Sequence, residues 1–218
     1  MSPKKPVVEF TGEKMDVSWD GRLCIHVAEC GRSEGEVFVG GRKPWCQPDA
    51  ATNEEVAEIC ERCPTGALAY EDKEGVLEEA APPHNTVTVV SRGPLLMRGE
   101  LDIEGTRADQ PGLQFRASLC RCGHSKRKPF CDNSHEKAGF SDYGPVGSKS
   151  DGESDEGGPL AVTLASDGPL IVSGNFSIIA SSGREAWRGK RAALCRCGAS
   201  ENKPFCDGSH KAAGFKSE

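Results

Sequence analysis

Apolar positions cluster in two short β-type runs, Thr86–Val90 and Leu95–Ile103, each bounded by turn-forming residues. A further extended run leads into Leu119, and the same succession of signals returns later, ending at Leu194. The recurrence is a repeat: residues 93–140 align with 168–215 at an offset of 75 without a gap, and 23 of those 48 positions are identical. Gly93-Pro94-Leu95 returns as Gly168-Pro169-Leu170, and Ala138-Gly139-Phe140 as Ala213-Gly214-Phe215. Each copy predicts two or three strands, a Cys-rich loop and one short helical turn that stops at Gly139 or Gly214. Upstream of the repeat, the acidic amphipathic stretch Asn53–Cys60 reads as a helix, and Leu23–Val27 alternates like a strand with His26 on one face.

Breaks in these patterns divide the chain. Ala80-Ala81-Pro82-Pro83 interrupts any periodicity, and Ser141–Gly158 is rich in Ser, Gly, Asp and Glu, as a solvated linker is. The expected organisation is a leading domain over 6–78, a first module over 84–140, a flexible linker over 141–160 and a second module over 161–216. The fold class is α+β, with the modules rich in β-structure.

Composition sharpens this picture at one point. The chain of 218 residues has 26 Gly, few aromatic residues and 11 Cys, a mix typical of small domains with thin cores that need covalent or metal staples. An odd Cys count with C-x-C and C-x-x-C spacings argues against a disulfide framework and for thiolate ligands in a reducing, cytoplasmic setting. No window approaches the run of about 18 apolar residues that spans a membrane, and the net charge of −6 gives no support for nucleic-acid binding.

Spacing carries the chemistry. The first copy places Cys120, Cys122, Cys131 and His135 in a C-x-C-x8-C-x3-H pattern, and the second repeats it with Cys195, Cys197, Cys206 and His210. Such ligands suit Zn²⁺ or an iron–sulfur cluster. A C-x-C pair can grip one iron from a loop, while Cys and His at i and i+4 share a helical face and grip a second, which is the ligation of a [2Fe–2S] rhomb. Asp132 and Asp207 are candidate N-caps for the helical turn, whose free N–H groups would face an anionic cluster. Asn133 replaces Gly208 between the copies, and these two residue types share an ease with left-handed backbone. His124 is Ala199 in the second copy, so it reads as a surface side chain.

With Cys-Asp-Gly-Ser-His at 206–210, both copies resemble the CDGSH iron–sulfur family. The resemblance implies one [2Fe–2S] cluster on Cys120, Cys122, Cys131 and His135 and another on Cys195, Cys197, Cys206 and His210. It also implies a fold in which family members dimerise through intertwined strands, so a tandem chain would build an intramolecular pseudo-dimer and remain a monomer with internal pseudo-two-fold symmetry.

The leading domain holds the other five cysteines. Cys24 and Cys30 are spaced C-x5-C, and Cys60-Glu61-Arg62-Cys63-Pro64 follows the expected helix. This segment is similar to divergent single-cluster ferredoxins, which implies a ferredoxin-like fold and ligand roles for Cys24, Cys30 and Cys63. Val27 stands where a four-iron ferredoxin would carry another Cys, so a [3Fe–4S] cluster, or a [4Fe–4S] with an unusual fourth ligand, is expected. Cys60 and Cys46 are candidates for that ligand, though each reads more readily as a small core residue.

The expected function is electron transfer by two [2Fe–2S] clusters and a third ferredoxin-type cluster, with redox proteins as partners. The alternative is [2Fe–2S] storage, transfer to apo acceptors, or redox sensing. No P-loop, dinucleotide fingerprint or nucleophile motif points to an enzyme acting alone.

Overall fold

The computed structural model describes residues 7–106, 110–147 and 157–217. The leading domain is a three-stranded antiparallel sheet, β1 (Val8–Thr11), β2 (Met15–Trp19) and β3 (Leu68–Asp72), in that order. One helix, α1 (Asn53–Glu61), covers it and buries Val56, Ala57, Ile59 and Cys60. Its start is fixed by a capping box in which Thr52 and Glu55 satisfy each other's backbone N–H groups. Phe10, Met15, Val17, Phe38 and Leu68 complete this core, and Trp45 makes ring contacts with Phe10, Trp19 and Phe38. The strand expected over Leu23–Val27 does not form. His26 and Ala28 have positive φ of 56° and 70°, a backbone that loops and cannot alternate.

The rest of the chain is almost all sheet. The first copy supplies β4 (Thr86–Val89), β5 (Leu95–Arg98), β6 (Glu100–Ile103) and β7 (Arg116–Leu119). The second supplies β8 (Pro159–Leu164), β9 (Leu170–Ile179) and β10 (Glu185–Leu194). All seven join one sheet, ordered β6-β8-β9-β4-β5-β7, with β10 also on β9. The copies exchange partners: β4 runs parallel to β9, with Thr86 opposite Ser177, and β8 runs parallel to β6, with Ala161 opposite Asp102. Adding 75 to Thr86 and subtracting it from Ser177 gives Ala161 and Asp102, so the two exchanges have one register. Gly99 and Gly174 stand at the crossings. A Cβ on Gly99 would lie 2.1 Å from Asn85 Oδ1, and one on Gly174 would lie 2.3 Å from the Pro159 carbonyl oxygen. A single core holds Val87, Leu95, Met97 and Ile103 against Leu160, Val162, Leu170 and Ile178, so each copy buries its apolar face on the other.

The copies differ where the leading domain docks. In the second, β9 and β10 continue as a long hairpin; in the first, the equivalent stretch becomes a 3₁₀ turn over Pro111–Gln114. Gly66 of the leading domain packs backbone to backbone on Gly112 of that turn, each so close that a Cβ would meet the other's carbonyl oxygen at 2.5 Å or less. Leu23 and Ala67 join the core of the large sheet.

Two further expectations need correction. The short helix forms as α2 (Ser134–Lys137) in the first copy, whereas the second traces only turns there. The linker carries no helix or strand over 141–147, yet it is not merely solvated. Val146 is buried, Tyr143 and Val146 offer carbonyls to Ser181 and Arg184, and Asp142 pairs with buried Arg121. The remainder of that stretch, 148–156, lies outside the described residues. Among the described residues, no helix is long and apolar enough to cross a membrane.

Candidate metal centres

Each C-x-C loop begins at the end of a strand, β7 or β10, whose apolar residues anchor it in the core. The Cys120 N–H donates to the Pro129 carbonyl at 2.8 Å and the Cys131 N–H to the Ser118 carbonyl at 2.9 Å, folding the third Cys back beside the first. Cys195 and Cys206 repeat this with Pro204 and Ala193 at 2.7 and 2.8 Å. Ser125 and Ser200 brace the loops by donating to the carbonyls of Phe130 and Phe205 at 2.6 and 2.7 Å.

The aspartates work as expected, though from one position before the formal cap. Asn133 is the cap residue, in the left-handed region at φ 66°, and its side chain makes no capping bond. Asp132 instead accepts from the Ser134 N–H at 3.0 Å and from the Lys126 N–H at 2.9 Å. Asp207 does the same for Ser209 and Glu201 at 2.9 and 2.8 Å. Gly208 adopts φ 89°, so the left-handed turn is shared.

The ligand atoms come together in pairs. Cys120 Sγ and Cys122 Sγ are 3.7 Å apart, and Cys131 Sγ and His135 Nδ1 are 3.4 Å apart. The second motif has the same separations, 3.7 Å for Cys195–Cys197 and 3.4 Å for Cys206–His210. Two thiolates on one tetrahedral metal, at about 2.3 Å each, stand roughly 3.8 Å apart. Among the described residues, no three His, Cys, Asp or Glu side chains converge on one ion. Each motif thus offers its donors as two pairs, Cys with Cys and Cys with His, and each pair has the separation of two donors on one metal.

Backbone N–H groups favour negative charge on the sulfurs, and burial opposes it. Backbone N–H groups of His124, Asn133, Ala199 and Gly208 point at Cys122, Cys131, Cys197 and Cys206 at 3.4–3.5 Å. The Cys122 thiol and nearby N–H groups pull Cys120 down to about 6, while that same shared hydrogen bond pushes Cys122 up. Burial pushes Cys131 up to about 11 and raises Cys195. Such a set accepts one proton loss easily and resists the next until a cation compensates it. The two motifs differ in access: Cys120, Cys122, Cys131 and His135 are buried, whereas Cys197, Cys206 and His210 are half-buried.

In the leading domain, Cys24 lies in the loop after Leu23, Cys30 opens a 3₁₀ turn, and Cys63 follows α1 at Pro64. The three are close enough that Cys63 and Cys24 both add to the burial that raises Cys30. Cys46 and Cys60 are fully enclosed in the leading core, where burial pushes Cys46 up to about 12 and also raises Cys60. His26 is exposed, with Nδ1 3.9 Å from Cys24 Sγ, and His124 is exposed as expected.

Several contributing residues carried no motif. Buried Arg116 binds the carbonyls of Cys60, Cys63 and Leu68 and the Glu79 carboxylate. Its repeat partner Arg191 is exposed, so the shared residue type gave no signal. Ser118 Oγ is buried without a hydrogen-bond partner among the described residues, two residues before Cys120.

Comparison with known proteins agrees with this division. A family model described as a divergent 4Fe-4S mono-cluster matches residues 10–73, and one described as an iron-binding zinc finger of CDGSH type matches 92–136 and 167–211. The chain is 41% identical over 64 residues to the uncharacterized protein YjdI of Escherichia coli (strain K12) and, equally, to that of Escherichia coli O157:H7. The match covers 29% of this chain and 84% of each relative. No solved structure matches the chain.

Proposed function

The chain belongs to the CDGSH iron-binding family and carries a divergent 4Fe-4S mono-cluster domain ahead of its two CDGSH segments, and from that premise we propose that it is an electron carrier with three iron–sulfur centres. In this reading Cys120, Cys122, Cys131 and His135 hold one [2Fe–2S] cluster, and Cys195, Cys197, Cys206 and His210 hold the other. Each supplies a one-electron couple when bound. Cys24, Cys30 and Cys63 hold a [3Fe–4S] or [4Fe–4S] centre, with Cys60 as the candidate fourth ligand.

The observation that carries the reading is the pairing of donors at 3.7 and 3.4 Å in both motifs. The protein residues do three things around such a group. They exclude water by burial, donate backbone N–H groups to the sulfurs, and replace one thiolate per site with a neutral imidazole. The last two favour the reduced state over an all-Cys site at about −400 mV. Strand exchange in a common register supports an intramolecular pseudo-dimer working as a monomer; redox proteins as its partners belong to the same proposal.

Anaerobic purification with iron and sulfide counts, followed by electron paramagnetic resonance, tests this. About seven or eight irons, about eight labile sulfides and three reducible signals are expected. Zinc in place of iron, or iron without sulfide, would end the reading.

One observation favours a second reading, cluster delivery: Cys197, Cys206 and His210 of the second motif are half-buried where all four residues of the first are enclosed. Incubation with an apo-ferredoxin separates the two. Stoichiometric loss of one cluster to the acceptor supports delivery, and reversible reduction with all clusters retained supports the carrier.

A further inference from the structure

Several side chains of the first copy cross to the leading domain, Arg98 to the Glu61 carbonyl and Gln110 to the Asp20 carboxylate among them, and three more land beside its cysteines or in the loop leading to them. Asn133 Nδ2 donates to the carbonyl of Ile25, the residue after Cys24, at 2.6 Å. Arg127 Nη1 donates to the carbonyls of Gly21 and Arg22 at 3.1 and 2.6 Å. Arg116 Nη1 donates to those of Cys60 and Cys63 at 2.6 and 2.7 Å. At the offset of 75 the second copy has Gly208, Asn202 and Arg191. Gly208 has no side chain to reach with, and Asn202 and Arg191 are exposed.

Asn133 differs from the other two in touching both ligand loops at once. Its own N–H points at Cys131 Sγ at 3.4 Å while its side chain holds Ile25. Gly208 keeps the equivalent N–H on Cys206 at 3.4 Å and makes no reach. Asparagine is one of the few residues that keeps the left-handed turn and adds a donor. Because the acceptor is a carbonyl, the amide NH₂ is the end that must face it.

We propose that Asn133 is a positioning residue that ties the Cys24–Cys30 loop to the first CDGSH site, so that the leading centre communicates with that site and not with its repeat. This rests on the reading that the leading domain holds its own iron–sulfur centre.

The test uses the full-length protein, purified anaerobically with its clusters, as Asn133→Gly, as the isosteric Asn133→Asp and, as a control, as Gly208→Asn. Glycine keeps the turn and aspartate keeps the shape, but neither donates to Ile25. Both should raise hydrogen exchange in the 25–30 loop roughly five- to tenfold, the worth of one hydrogen bond. After dithionite reduction, both should also lose the relaxation enhancement that the leading centre imposes on the first site's paramagnetic signal, with the second site's signal unchanged. Gly208→Asn should change neither. Unaltered exchange and relaxation in both Asn133 variants would overturn the proposal, as would an effect on the second site instead. If metal counts find only the CDGSH clusters, the three-centre reading fails and takes this inference with it; a leading centre that is present but indifferent to Asn133 sinks the inference alone.

Discussion

Cys122 and Cys197 stand opposite each other in an isolated antiparallel bridge, so the C-x-C loops of the two motifs touch backbone to backbone. The glycine after each makes this possible. Gly123 and Gly198 have φ of 85° and 81°, and a Cβ on either would lie 2.5 Å from the carbonyl oxygen of the opposite cysteine. Neither site can shift without disturbing the other's loop.

Gly123→Ala is therefore expected to damage both motifs. Strained backbone and the clash together cost about 1–3 kcal/mol, read as a lower midpoint in chemical denaturation. Iron release should be faster from the unmutated second motif as well. Loss confined to the first motif would show that the bridge does not couple them.

Arg116 and Arg191 are equivalent in the repeat and opposite in fate. Arg116→Gln removes a buried guanidinium that joins Glu79 to three carbonyls of the leading domain, leaving those groups unpaired. A loss of about 3–5 kcal/mol is expected, against a change within about 0.5 kcal/mol for exposed Arg191→Gln. Equal effects in urea unfolding would contradict the docking of the leading domain on the first copy.

Buried Arg121 is paired with Asp142 and lowers the proton affinity of His135, which places its charge near the first site. The position equivalent to Asp142 is Ser217, so Arg196 lacks a carboxylate at that position. Asp142→Asn leaves the Arg121 charge uncompensated, and positive charge favours the reduced, more negative cluster. Redox titration should show the first site's potential rising, with the second site as an internal reference that does not move.

Acidification should bleach the two sites in sequence. Iron binds neutral imidazole, and protons compete with it as pH falls through the histidine range. Burial holds His135 below the usual value of about 6.5, so its neutral form persists and is lost only further toward acid. The second site, where Cys197, Cys206 and His210 are half-buried, should bleach at the higher pH. Stopped-flow absorbance at stepped pH checks the order, and His135→Cys or His210→Cys should each remove its own phase.

Much of the site was legible before any coordinates. The close pairing of the candidate donors, the left-handed turn at Asn133 and Gly208, and the stop of α2 before Gly139 all depend on neighbours within a few residues, where spacing and conformational preference act directly. The strand over Leu23–Val27 was misread because alternation cannot distinguish a strand from a loop wound by residues at positive φ. The segment after Ser141 was misread because its composition is that of a linker, while Asp142 and Val146 are held by partners distant in the chain.

The sequence by itself determined the candidate donor sets, the duplication and the order of the domains, since each is a matter of residue type and local interval. Only the tertiary structure decided that β4 pairs with β9 and β8 with β6, that Arg116 is enclosed while Arg191 faces solvent, and that Asn133 reaches Ile25 across 108 positions of chain. Those outcomes depend on which surfaces meet. Two copies with nearly the same local chemistry became unequal because the leading domain can cover only one of them.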